Sequence, residues 1–470
     1  MRRIYRRIDW TWIGLSLGLL AAVGSWSLLS RSFVYGQGHA DRPILLFLAL
    51  FGAAWAVFAV AAVRILRGDR PRLSGILFVA VCARLLLLPS SLIQENDVYR
   101  YVLDGQVLLH GGNPYALAPL EVAGRQEFLP SAGLDSPQGE FVLSRVGYPQ
   151  IPTVYPPLAQ AAFALGAAAA GWNWHGQRWV FMTLDLFVLL LVVALLKRSG
   201  LAAHGALLYG WNPLVLKEVS NSCHLDALTA LCILTTLWLA RRYQAEPSQH
   251  RAALAGAALG LAILSKLYPV LLIPVLIALL WRQRVNGREW LAGVVSCAVI
   301  VIVGYVPFLG IGWGNLTRGL STFARVWKMN EGAFGLLDAV VPEGRWVAAL
   351  MIGGTAVVVP WLRRDTAGDR VIADAFWVLL IWFLLIPTPF PWYAIPILSV
   401  SALMSRARPL LLTLSGVLAL YYLSFFIEYG EYDAAWWTAI RAVEHLAIWA
   451  MVGWTIWGRR PSVVSAPIGG

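Results

Sequence analysis

The segment QENDVYRYVLDGQ, residues 94–106, sets three ionisable side chains at helical spacing. Asp97, Arg100 and Asp104 lie three and four residues apart, so on one helix face the arginine reaches either acid. By spacing alone this is either a solvated ion-pair stripe or a site where Asp97 takes a proton from a hydroxyl. Glu95 is placed to share that role, and spacing does not separate either acid from a divalent-metal ligand. Downstream, LKEVSNSCHLDAL collects Lys217, Glu218, His224 and Asp226. Asn221 or Ser222 suits the cap of a following helix, whose N-terminus Asp226 would favour. His224 has no companions at a zinc spacing. Lys266 stands alone between apolar segments, a costly place for a cation unless it snorkels. Arg318, Arg325 and Lys328 flank Trp327, a combination suited to a lipid phosphate. Glu428, Glu431 and Asp433 form an acidic loop that reads as solvated, and the four cysteines read as free thiols.

The elements that position these groups follow from composition. The chain has 470 residues, 59% hydrophobic and 13% charged, which describes a chain dissolved in a bilayer. Its net charge of +12 comes in small clusters between apolar runs, a pattern of membrane orientation and not of nucleic-acid binding. With Arg241, Arg242, Arg282, Arg284, Arg363, Arg364, Arg459 and Arg460 kept in the cytoplasm, both termini lie there too. Spans are then expected at 11–29, 44–65, 73–93, 178–196, 201–217, 226–240, 252–265, 268–281, 290–309, 344–362, 371–386, 392–405, 409–427 and 436–457. The expected fold class is all-α, a single polytopic helical bundle over 1–470 with about 13–14 transmembrane helices.

One apolar run, 156–171, is left out of that count, because as a span it would invert every later loop and send the basic clusters outside. It reads as an interfacial or re-entrant helix. Two long outer loops result, 94–177 and 310–345, and loops of such length tend to carry function. The first opens with an amphipathic helix from Asp97 that Gly111 and Gly112 terminate. The prolines and tyrosines of YPQIPTVYPPLAQ, Tyr155 among them, read as a rigid wall.

Taken in order, NDVYRYVLDG with GGNPY, PTVYPPLAQ, WNPLVLKE with HLDAL, SKLYP, RVWKMNEG and PFPWY resemble the GT-C class of membrane glycosyltransferases. Within that class they resemble the bacterial polyprenyl-phosphate-mannose-dependent mannosyltransferases. The resemblance implies a GT-C-like fold with extracytoplasmic juxtamembrane helices. It implies inverting transfer of a sugar, mannose, from a polyprenyl-phosphate donor to a hydroxyl of a glycan or glycolipid acceptor, at the outer face of the cytoplasmic membrane. Asp97 matches the class's general base. No cofactor is implied beyond the lipid-linked co-substrate, and the partners are the donor, the acceptor and membrane lipids, with no nucleic acid. Substrate contacts are expected from Glu95, Arg100, Asp104, Tyr155, His224, Asp226, Trp392 and Tyr393, and, by charge alone, from Lys266, Arg325 and Lys328 at the departing phosphate. The rival reading is a multi-pass secondary transporter or flippase for a lipid or sugar. That reading needs paired broken helices and ionisable groups at mid-membrane. Mid-span charges such as Arg84 and Asp185 are few, whereas acids and bases gather in the outer loops.

Overall fold

The structure, a computed structural model, describes residues 9–36, 38, 41–124, 134–284, 287–362, 370–428 and 434–457. Arg363, Arg364, Glu431, Asp433, Arg459, Arg460 and the side chain of Glu428 lie outside the described residues. In chain order the chief helices are α1 (Trp10–Leu29), α2 (Ile44–Leu66), α3 (Leu73–Leu87), α4 (Asp97–Leu109), α5 (Pro157–Ala170), α6 (His175–Arg198) and α7 (Asp226–Ala245). They continue with α8 (Gln249–Ser265), α9 (Gly287–Tyr305), α10 (Trp313–Val326), α11 (Gly344–Leu362), α12 (Arg370–Leu385), α13 (Arg408–Val417) and α14 (Ala434–Trp457). Every regular element among the described residues is helical, and the protein is an integral membrane protein.

Among the described residues six segments are long and apolar enough to cross a bilayer unaided: Trp10–Ser32, Ile44–Leu66, His175–Arg198, Gly287–Ile311, Gly344–Leu362 and Ser405–Phe426. The expected span 436–457 is the unbroken 24-residue α14, less apolar than these six, and several others fold as shorter or broken helices, whose breaks have a chemical cause. In 201–217, Pro213 lacks an N–H and the helix restarts there, with Asn212 Oδ1 accepting from the amides of Leu214 (3.0 Å) and Val215 (3.4 Å). The segment then widens into a π-turn, Leu216–Asn221, and meets α7 at a bend of 118°. Segments 268–281 and 392–405 open as 3₁₀ turns carrying Pro269 and Pro391. Such breaks survive in a membrane only where protein covers the backbone. Residues 205–230 are all buried, so the broken helix runs through the centre of the bundle.

α3 stops at Leu87, short of the span expected to 93, because Pro89 follows and Arg178 of α6 takes over its last carbonyls. α5 has 14 residues, about 21 Å at 1.5 Å per residue, too short to cross. It lies against α4, where a Cβ on Gly105 would come 2.4 Å from the Phe163 carbonyl oxygen. α8 and α9 close in the same way at Gly256, where a Cβ would fall 2.0 Å from Gly293 O. The mid-span charges satisfy each other: Arg84 Nε lies 2.5 Å from Asp185 Oδ2, and Tyr209 donates to Asp185 Oδ1.

Gly105→Val drives two methyls into the α5 backbone, and a loss of about 1–3 kcal/mol follows, read as a lower melting temperature in detergent.

Candidate functional site

The residues between α3 and α4 are irregular, so something outside them must hold their shape. Arg178 is fully buried and donates to the carbonyls of Leu87 (3.1 Å), Leu88 (2.8 Å), Ser90 (2.6 Å) and Asn221 (2.8 Å). Asn221, at the end of the π-turn, accepts from Ile93 N (3.1 Å) and donates to Ser90 Oγ (3.0 Å) and Ser91 O (2.7 Å). Asn221 therefore ties down this connection and does not cap α7, whose N-cap is Leu225. Ser222 Oγ is likewise taken, accepting from Lys217 at 2.7 Å. The connection delivers Glu95 and then Asp97 in the first turn of α4, where the helix N-terminus favours a negative charge.

Asp97 opens on a cavity of about 1790 Å³. Glu95, Arg100, Tyr155, Lys266, Arg325, Lys328, Trp392 and Tyr393 also line it, so nine of the twelve residues expected to act as base or contact substrate meet at one hollow. Asp104, His224 and Asp226 stand behind its wall. Asp104 is buried and accepts from Gln160 Nε2 at 3.1 Å, which latches α4 to α5. Arg100 does not bridge the two acids; its guanidinium donates to the carbonyls of Gly147 (3.3 Å) and Tyr148 (2.9 Å). Of the two readings of this stripe the solvated one does not hold for Arg100 and Asp104, which are buried, while Asp97 faces the cavity.

Lys266 is not solitary. α7 runs 20 residues away from Asp226, and α8 runs 17 residues back to Lys266, so the two ends meet. Lys266 Nζ lies 2.7 Å from Asp226 Oδ1 and 4.0 Å from the centre of the Tyr393 ring. His224 Nδ1 sits 3.0 Å from Glu218 Oε2, and its ring stacks on Trp392 at 4.0 Å. Phe390 covers the opposite face of Trp392 at 4.6 Å, so Trp392 presents its edge to the cavity. Tyr422 donates to Glu218 (2.6 Å) and accepts from Lys217, which completes a fully buried set behind Trp392.

The second loop forms the rim. Arg325 and Lys328 are exposed there; Lys328 pairs with Asp338. Arg345 donates to Ala324 O (2.7 Å) and Trp327 O (2.9 Å), and Arg318 makes a two-pronged pair with Glu121 (3.1 and 2.6 Å) that joins the two loops. Sequence reasoning did not single out Tyr268, Ser424, Arg145 or Arg345 as lining residues. Tyr268 OH, Ser424 Oγ and Glu95 Oε1 are buried in the wall with no hydrogen-bond partner among the described residues. Their signal lies only in the folded arrangement. Burial holds the Glu95 carboxyl well above the usual carboxylate range, with Glu218 and Asp97 reinforcing and Lys217 opposing. That favours the neutral acid, a hydrogen-bond donor, over a proton acceptor. Among the described residues no three His, Cys, Asp or Glu side chains group as a metal site would.

A sequence profile described as glycosyltransferase family 87 matches residues 153–388. No curated protein matches the chain by sequence. Among solved structures, that of ArnT from Cupriavidus metallidurans bound to undecaprenyl phosphate is similar, at 14% identity over 82% of this chain and 76% of that one, with a TM-score of 0.46.

Two outcomes follow from this geometry. Asn221→Ala strands the amide of Ile93 and the groups of Ser90 and Ser91, costs about 1–3 kcal/mol, and raises hydrogen exchange over residues 90–97. Because the folded-state pKa of Glu95 is raised, its contribution to stability is full below the ordinary glutamate pKa of 4.5 and is lost as pH rises through the folded value. Glu95→Gln should flatten that part of a melting-temperature profile against pH.

Proposed function

Because this chain belongs to glycosyltransferase family 87, we propose that it moves a sugar, mannose, from a polyprenyl-phosphate donor to a hydroxyl of a glycan or glycolipid acceptor, with inversion. The family makes it a membrane glycosyltransferase; donor, sugar and acceptor belong to the proposal. The observation that carries it is the pairing, in one cavity, of a carboxylate at a helix N-terminus with a cation anchored from behind: Asp97 and the Lys266–Asp226 pair.

In the proposed reaction the acceptor hydroxyl gives its proton to Asp97 as its oxygen bonds to the anomeric carbon. The bond from that carbon to the donor phosphate breaks, and polyprenyl phosphate leaves with one more negative charge. Lys266 has donors left over after Asp226 and meets that charge, with Arg325 at the rim, while the charge of Lys328 is matched by Asp338. Glu95 keeps its proton and binds, instead of sharing the base's work. Leu320 and Phe323 of α10, Ala349 and Ile352 of α11, and Leu385 of α12 give the cavity an apolar flank for the polyprenyl chain.

The site is proposed to face the extracytoplasmic side of the cytoplasmic membrane. From Asp226, α7 reaches Arg241 and Arg242 about 22 Å away, and α8 starts from that same far end, which the distribution of positive charge assigns to the cytoplasm. The 118° break is a feature a transporter would also use, but family membership favours transfer.

Asp97→Asn should leave the melting temperature near that of the wild type and lower sugar transfer by about 10²–10⁴-fold, followed with labelled polyprenyl-phosphate-mannose in membranes. A variant that transfers at the wild-type rate would remove Asp97 from the role.

A further inference from the structure

Beside the cavity lies a second hollow of about 570 Å³, lined by the 148–152 segment of the first loop and by α10 with the residues that follow it. The two hollows share Tyr148, Ile151, Pro152, Trp327 and Lys328 as a common wall. Tyr148 is the feature that demands an account. Its φ is +53°, a left-handed conformation that an aromatic residue rarely adopts, and the residue is 54% exposed. Buried Arg100, three residues beyond Asp97, nonetheless gives its guanidinium to the carbonyls on either side of the turn, Gly147 and Tyr148. The held ring sets its edge against Trp327 at 4.5 Å, and Phe323 backs Trp327 at 5.5 Å. An aromatic rim is thus locked into place at the mouth of the cavity by a residue of the catalytic helix.

The groove's chemistry identifies its occupant. Gln150 and Thr322 supply hydrogen-bonding groups, and both cations already have carboxylate partners, Arg318 with Glu121 and Lys328 with Asp338. A phosphate group would find no unmatched charge there, whereas a neutral carbohydrate finds aromatic surface and polar side chains together. We propose that this groove binds the glycan of the acceptor beyond the sugar that reacts, so that Tyr148 and Gln150 select acceptors longer than one residue. The proposal rests on the transferase reading of the cavity.

The test is transfer from polyprenyl-phosphate-mannose by the full chain in detergent, comparing octyl α-mannoside with the octyl glycoside of a linear mannotriose. The wild type should prefer the trisaccharide by about tenfold in kcat/KM, and Gln150→Ala and Tyr148→Gly should bring that ratio towards one. Tyr148→Gly removes the ring while suiting a φ of +53°, so its melting temperature should not fall, unlike that of a residue whose role is to hold the fold. Equal kcat/KM for the two acceptors in the wild type, or a preference that survives both substitutions, overturns the groove and leaves the cavity reading standing. Absence of transfer to either acceptor by the wild type overturns the cavity reading itself.

Discussion

The break between residues 216 and 225 is the constraint on which the rest of the structure depends. A helix interrupted inside a membrane leaves backbone and side-chain polar groups that water cannot reach, and each must find a partner in protein. Here the π-turn and the bend into α7 put Lys217, Glu218, Asn221, His224 and Asp226 at the centre of the bundle, all fully buried. Each partner found is a piece of the site. Asn221 holds the connection that carries Glu95 and Asp97, Glu218 holds His224 against Trp392, and Asp226 holds Lys266.

This arrangement separates the residues that face the cavity from those that support it. Lys217 and Glu218 are matched behind the wall, and Asp226 behind it matches Lys266 at the cavity, so removing either lysine would leave a fully buried carboxylate without its ion-pair partner. The acids at the front differ in surroundings. Glu95 is pressed towards its neutral form by burial, while Asp97 sits at the positive end of α4. Two carboxyl groups two residues apart thereby meet different surroundings.

The two loops act as one structure above the cavity. Arg318 and Glu121 join them, Trp327 meets Tyr148, and Met329 N donates to Pro387 O at 3.0 Å, so the rim is tied to the bundle at several points. Among its cations Arg345 is held by backbone carbonyls, and Arg318 and Lys328 by carboxylates.

By itself the sequence determined the membrane embedding, the helical class, the start of α4 at Asp97 with its end before Gly111, and the grouping of both loops at one end. These rest on hydropathy, charge and glycine, which act locally or through the bilayer. The shortness of the apolar run 156–171 was legible for the same reason, and it folds as the 14-residue α5. The partners were not legible. Arg100, three residues from Asp97 and four from Asp104, looked like their bridge but bonds carbonyls 47 and 48 residues away, and Lys266 looked solitary because Asp226 lies 40 residues earlier. Asn221 looked like a helix cap and instead holds residues about 130 positions back. Such contacts are chosen when burial removes water as the competing partner, and only the packed tertiary structure decides which group is nearest when that happens.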